Sequence, residues 1–214
     1  KRGVVWWPLV RLWGTTVRKG GGVRTLEVIG EEFLSSGTGV ILMPNHESHL
    51  DPPLMMNVSP VPVRFIAKAS LFRIPFLGWA MWSAGMIPID RSNREKAFAS
   101  IARATDMIKS GNNVLVFPEG TRTTDGSLGP FKKGGFVMAV RGGVPIIPVG
   151  IAGTRRIMPP GIMIQNSGPA VVVLGEPIST SGYDEESKGE LMEIVEARIT
   201  ELREEALLRL EALR

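Results

Sequence analysis

Short apolar runs closed by turn residues punctuate the chain. Gly39-Val-Ile-Leu-Met43 stops at Pro44, and Val63–Ala67, Met86–Ile89, Asn113–Phe117, Pro145–Val149 and Ala170–Leu174 have the same character. Such short, mostly apolar runs, rich in Val and Ile, read as buried strands. Between them the period changes from strand to helix. Over residues 93–110, Phe98, Ile101, Thr105 and Ile108 recur on one face, Ser92 and Glu95 form a capping box, and Gly111 stands where a helix-ending glycine belongs. Residues 133–142 predict a shorter helix. Strands alternating with helices predict an α/β fold: a mixed, largely parallel sheet covered by helices on both faces. After residue 184, Leu191, Val195, Ile199, Leu202, Ala206, Leu210 and Leu213 recur every three or four positions with charges between them. This predicts one long amphipathic C-terminal helix that packs its stripe on the domain. The chain therefore divides into a segment over 1–26, an α/β domain over 27–183 and a C-terminal helix over 184–214.

Composition narrows this picture. The chain has 214 residues, 43% hydrophobic and 21% charged, enough for one α/β domain with a core, and disorder is excluded for the bulk of it. Cysteine is absent, which removes disulfides, thiolate metal sites and a cysteine nucleophile. Any imidazole chemistry must use His46 or His49. The net charge of +4 is uneven: residues 1–26 hold six basic and no acidic residues, whereas 184–214 hold ten acidic and five basic. The basic start carries Trp6, Trp7 and Trp13, a combination suited to an anionic membrane surface. The alternative is a basic edge with those tryptophans in the core. Pro8 predicts two short helical pieces there rather than one. No nucleic-acid-binding motif is present, so no nucleic-acid partner is expected. Ile74–Ile89 is uncharged but only sixteen residues long and broken by Pro75 and Pro88, short of the roughly 20 that a span needs. The chain starts at Lys1, and an anchor outside this sequence stays open.

Both histidines fall in Asn45-His46-Glu47-Ser48-His49-Leu50-Asp51, just after a predicted strand, where open α/β sheets place their sites. A loop can turn Asp51 back onto the His46 Nδ1–H, fixing the tautomer and leaving Nε2 as a base for an alcohol. Two other readings use the same residues: a metal site of His46, His49 and Asp51 with Glu47 as base, or a plain surface loop. The i, i+3 histidine spacing and the absence of a further ligand cluster weigh against metal. A second cluster, Phe117-Pro118-Glu119-Gly120-Thr121-Arg122, follows another strand. Gly120 allows close backbone approach, Thr121 offers a hydroxyl and Arg122 a guanidinium fork suited to phosphate. Glu119 can hold Arg122 or bond a substrate hydroxyl.

Taken together, NHESHLD at 45–51, GMIPIDR at 85–91, FPEGTR at 117–122 and IIPVGI at 146–151 resemble the four sequence blocks of the glycerolipid acyltransferases, in the 1-acylglycerol-3-phosphate acyltransferase (PlsC-like) branch. Lys68–Gly78 also looks like the family's lysine-to-glycine segment. The resemblance implies that His46 is the general base and Asp51 its orienting partner. It further implies that Arg91, Glu119, Gly120, Thr121 and Arg122 bind the glycerol phosphate, and that Pro148 shapes the acyl side. Backbone N–H groups near Lys68 are assigned to the oxyanion or donor. His49 matches no required position. The implied reaction moves an acyl chain from acyl-CoA or acyl-carrier protein to the 2-hydroxyl of a lysophospholipid, with no cofactor, metal or covalent intermediate. Another lysolipid acceptor and a non-catalytic lipid-binding protein are the competing readings. The expected location is the cytoplasmic face of the cell membrane, peripheral or held by a segment not in this sequence.

Overall fold

The computed structural model describes residues 5–34, 39–90, 94–123, 125–161 and 166–213. The apolar runs assemble into one seven-stranded sheet in the order β1-β7-β6-β2-β5-β3-β4. The strands are β1 (Val23–Ile29), β2 (Ile41–Pro44), β3 (Val63–Lys68), β4 (Ile87–Ile89), β5 (Asn113–Leu115), β6 (Ile146–Ala152) and β7 (Gly168–Leu174). Every neighbouring pair is parallel except β6 with β7. Because β2, β5, β3 and β4 run the same way, their C-terminal ends share one edge. The histidine loop and the segments after β3, β4 and β5 all leave from it.

The strand period of two gives the sheet two apolar faces, with a further cluster of Ala152, Val171 and Val173 under Leu202, Ala206 and Leu210 of the C-terminal helix. Leu42, Leu115, Val149 and Val172 face one side, where they meet Trp7 of α1 (Trp7–Gly20), Leu54 and Met55 of α2 (Asp51–Val58) and Met81 of α3 (Leu77–Ser83). Ile41, Met43, Val114 and Ile146 face the other side. There they meet Ile108 of α4 (Arg94–Lys109), Phe136 of α5 (Lys133–Gly142) and Ile199 of α7 (Lys188–Ala212). One short helix, α6 (Thr154–Ile157), follows β6. The C-terminal helix buries Leu191, Val195, Ile199, Leu202, Ala206 and Leu210, as its spacing predicts. It lies so close to β6 that a Cβ on Gly150 would stand 2.3 Å from the Leu202 carbonyl carbon, so only glycine fits there.

The structure departs from the sequence reading in several places. Residues 7–20 form one helix, not two pieces, because Pro8 sits in its first turn, where a missing N–H costs nothing. Trp7 is 6% exposed and belongs to the core, since the helical period turns it inward with Val10, Gly14 and Val17. Trp6 and Trp13 stay exposed. The first strand, β1, has mixed polarity that the apolar-run criterion passed over; it pairs only with β7, and it spans residues on both sides of position 26. On α4, Phe98 is exposed while Ala104, Thr105 and Ile108 are buried; Ser92 of the expected capping box lies outside the described residues. Leu213, the last position of the predicted stripe, is exposed past the end of α7.

Candidate active site

The loop from Asn45 to Asp51 is held by its own backbone. Asp51 opens α2, where a carboxylate suits the helix N-terminus, and its side chain is fully buried. Its Oδ2 accepts the backbone N–H groups of Glu47 and Ser48, each at 2.8 Å, and lies 2.8 Å from His46 Nδ1. Its Oδ1 accepts the Thr154 hydroxyl at 2.6 Å. Four donors thus fix one carboxylate, and the carboxylate fixes the imidazole. With Nδ1 engaged as the donor, Nε2 is the nitrogen left for a substrate. The His46 ring stacks on Phe117 at 3.8 Å between centroids, and its side chain is 15% exposed. Asn45 anchors the loop to β6: its amide donates to the Ile151 carbonyl at 3.0 Å and its oxygen accepts the Ile151 N–H at 2.7 Å. The Ser48 hydroxyl donates to the Met158 carbonyl at 2.8 Å.

The loop after β5 joins the first through Glu119. Its Oε1 accepts the His46 backbone N–H at 2.6 Å, and its Oε2 accepts the Gly129 N–H at 2.8 Å. At 2% exposure, with both oxygens engaged, Glu119 braces the two loops against each other rather than facing a phosphate, a geometry that differs from the role the resemblance implied. Burial pushes its carboxyl above the usual range, and the two N–H donors pull the other way. Gly120 has φ of 72°, a left-handed conformation that lets the chain turn directly after Glu119. Thr121 is exposed and Arg122 half-buried, and the Arg122 Nη1 is buried with no hydrogen-bond partner among the described residues.

Of three other candidate positions, two are described. Lys68 is exposed at the C-terminal end of β3, on the same edge. Arg91 lies outside the described residues, two positions past β4. Pro148 lies within β6, opposite Met43 of β2. His49 is exposed, and burial, then the charges of Arg122 and His46, hold its pKa below the usual value. Among the described residues no group of three or more His, Asp and Glu side chains gathers as a metal site.

Thr154 escaped the sequence reading, and Glu47 entered it only as the base of the metal alternative. Thr154, placed by α6, holds Asp51 from the side opposite His46. Glu47 is buried beside it, its Oε1 3.3 Å from the Thr154 oxygen. Burial, reinforced by the nearby Asp51 charge, pushes the Glu47 pKa up to about 7; the Arg203 charge and hydrogen bonds from the Arg155 backbone and Thr154 oppose this. The Thr154 hydroxyl has one hydrogen and gives it to Asp51 at the shorter distance. A protonated Glu47 can donate to the Thr154 oxygen in return. The only sequence signal for Thr154 was position: Gly153-Thr154 comes one residue after the fourth block.

Comparison with known proteins bears on the same region of the chain. The family model described as "Acyltransferase" matches residues 25–152, which contain both loops. A chloroplastic 1-acyl-sn-glycerol-3-phosphate acyltransferase of Brassica napus is 39% identical over 155 residues, covering 72% of this chain and 45% of its own length. The Saccharomyces cerevisiae 1-acyl-sn-glycerol-3-phosphate acyltransferase is 36% identical over 173 residues, covering 79% of this chain and 57% of its own. The corresponding Escherichia coli protein is 35% identical over 170 residues, covering 77% of this chain and 69% of its own. The chain thus spans less than half the length of the plant relative. The crystal structure of the Thermotoga maritima 1-acyl-sn-glycerophosphate acyltransferase PlsC superposes with a TM-score of 0.78 at 29% identity, over 92% of this chain and 79% of that one. The sequence blocks, the loop geometry and these matches agree: the chain belongs to the acyltransferase family.

Proposed function

We propose that the chain transfers an acyl group from a thioester donor, acyl-CoA or acyl-carrier protein, to the sn-2 hydroxyl of 1-acylglycerol-3-phosphate, giving phosphatidic acid. The observation that carries this reading is the His46–Asp51 pair, fixed on a loop whose buried polar side chains are all hydrogen-bonded. His46 Nε2 takes the proton as the hydroxyl oxygen attacks the thioester carbonyl carbon. Asp51 holds the ring and stabilises the imidazolium that forms. Collapse of the tetrahedral intermediate breaks the C–S bond, and the imidazolium returns its proton to the leaving thiolate. No protein nucleophile is required, in keeping with a chain that has no cysteine.

Arg122, with an unpaired buried Nη1, supplies a guanidinium for the acceptor's phosphate, and Arg91 is the second cation of that subsite. Thr121 and the Gly120 backbone complete it. Clamping the phosphate positions the hydroxyl and removes its motional freedom before the chemical step. Glu119 keeps the two loops in register, and backbone N–H groups near Lys68 face the oxyanion. Acceptor and product are amphiphiles, so the chain works at a lipid surface, on the cytoplasmic face where soluble thioester donors are supplied. Among the described residues no helix is long and apolar enough to cross a membrane. The outward stripe of α1 and the residue before it, Val5, Trp6, Leu9, Leu12 and Trp13, is exposed and supports peripheral contact with anionic lipid.

A panel of lysolipids offered with acyl-CoA and with acyl-carrier protein tests the reading. The expected result is phosphatidic acid from lysophosphatidic acid, with slower turnover of acceptors that lack a terminal phosphate monoester. Preference for another headgroup would overturn the acceptor assignment. Lipid binding without turnover would overturn catalysis.

A further inference from the structure

Phe76 is the one non-glycine residue with positive φ among those described, at φ 63° and ψ −52°. The Leu77 N–H donates to the Pro75 carbonyl at 2.7 Å across it, which makes Phe76 the centre of a γ-turn of the rare, strained hand. Glycine would make this turn without strain. The chain instead places there a phenylalanine that is 78% exposed, packed edge-on against Trp79, itself 67% exposed. Strain and an apolar ring in water are both unfavourable, so the fold itself gives no reason for the residue. Leu71, Ile74, Leu77 and Trp82 are exposed around the same turn. Such a contiguous aromatic surface marks a contact with something apolar.

The surrounding charge says what that is. From Pro52 to Ile89 there is no Asp or Glu, while Arg64, Lys68 and Arg73 lie in the stretch, Lys68 and Arg73 exposed. On the opposite face of the sheet the helices carry ion pairs, Arg141–Glu185 and Arg198–Glu201, and Arg209 joins Glu205 there to Glu27 of the edge strand. Exposed indole and phenyl rings on a stretch of chain that carries exposed Lys68 and Arg73 and no Asp or Glu match the headgroup boundary of an anionic bilayer. The segment also leaves the sheet at the end of β3, on the edge that carries His46. We propose that residues 71–82 form a second lipid-docking surface, in which Phe76 and Trp79 insert into an anionic bilayer next to the edge that holds the site. This rests on the reading of the chain as a lipid-surface enzyme, and it names a surface separate from α1.

The test compares co-sedimentation with vesicles of phosphatidylcholine alone and of phosphatidylcholine with phosphatidylglycerol. Three proteins are used: the unaltered chain, a Phe76→Gly/Trp79→Ala variant and a Trp6→Ala/Trp13→Ala variant. The glycine removes the strain along with the ring, so its melting temperature is expected to hold or rise while partitioning onto anionic vesicles falls about tenfold. Turnover of a water-soluble, short-chain acceptor is expected to be unchanged. Partitioning of the Phe76→Gly/Trp79→Ala variant equal to that of the unaltered chain, with loss only in the Trp6→Ala/Trp13→Ala variant, overturns this proposal and leaves membrane docking to α1. No sedimentation of the unaltered chain with either vesicle overturns the lipid-surface reading itself. A concentration-dependent dimer that Phe76→Gly/Trp79→Ala abolishes, without change in vesicle binding, makes the surface an interface between copies and likewise overturns the proposal.

Discussion

The loop at 45–51 and the segment at 71–82 leave the same edge of the sheet with only β5 between their strands, and they invert the ordinary distribution of residues in opposite directions. The loop buries Asn45, Glu47, Ser48 and Asp51; the segment exposes Ile74, Phe76, Trp79 and Trp82. In the loop each buried polar side chain has a hydrogen-bond partner, which offsets the cost of leaving water. In the segment Phe76 and Trp79 pack edge-on against each other and Trp82 packs against the half-buried Phe72, yet all three rings keep about half or more of their surface in water, and the cost of that exposure stands. The proposed base sits on rigid, satisfied polar contacts, and the proposed docking surface is apolar surface left unsatisfied.

The largest expected effect comes from emptying the buried pair. His46→Ala should lower kcat by about 10²–10⁴-fold, the usual worth of a positioned base, while a thermal melt changes little. Asp51→Asn should act in the same direction and also destabilise, because a carboxylate serving four donors becomes an amide that can accept on one atom only. Near-normal turnover of His46→Ala beside an inactive His49→Ala would move the base to the exposed histidine and undo the contrast.

Next in size is the pH dependence of the buried carboxyl. Glu47 holds its proton up to about pH 7 in the folded chain, against 4.5 when unpaired and solvated. Between those values the folded state binds a proton that the unfolded state has lost, so stability is full below about 4.5 and falls as pH rises to 7. Glu47→Gln, neutral at every pH, should therefore gain on the unaltered chain across that window, by on the order of 3 kcal/mol at pH 8. Denaturant titrations at pH 5 and pH 8 check this, and an equal difference at both would show that Glu47 is ionised in the fold.

A smaller change should follow Arg122→Lys, which keeps the charge but loses the fork. KM for the phosphate acceptor is expected to rise about tenfold with the donor KM nearly unmoved. Equal rises in both would point to damage of the whole edge. The smallest effect belongs to the outward stripe of α1. Trp6→Ala with Trp13→Ala should leave stability within about 0.5 kcal/mol and weaken vesicle binding a few-fold, more at low salt than at high. A large loss of stability would place those indoles with Trp7 in the core and weaken the comparison.

Much of this was legible from residue order alone. Six of the seven strands, the helix over 133–142 and the C-terminal helix follow from local period, because a face buried against a neighbour must repeat at 2.0 or 3.6 whatever that neighbour is. The four-residue gap between His46 and Asp51 and the spacing of the other blocks were likewise enough to name the pair and its family. What contacts across the chain decide was not legible. Glu119 offered two parts in the sequence, holding Arg122 or bonding a substrate hydroxyl, and only the placement of the His46 and Gly129 amides showed a third, bracing the two loops. Thr154 stands more than a hundred residues from Asp51, and no local pattern announces a hydroxyl that arrives with another strand. Trp7 and Trp6 are adjacent and identical in type; the direction of α2 from α1 turns one inward and leaves the other in solvent. Sequence by itself determined the elements and the chemistry available, since period and side-chain type are local properties. Burial, the partner of each polar atom and the raised pKa of Glu47 are properties of what the fold brings within a few ångströms, and only the tertiary structure decided them.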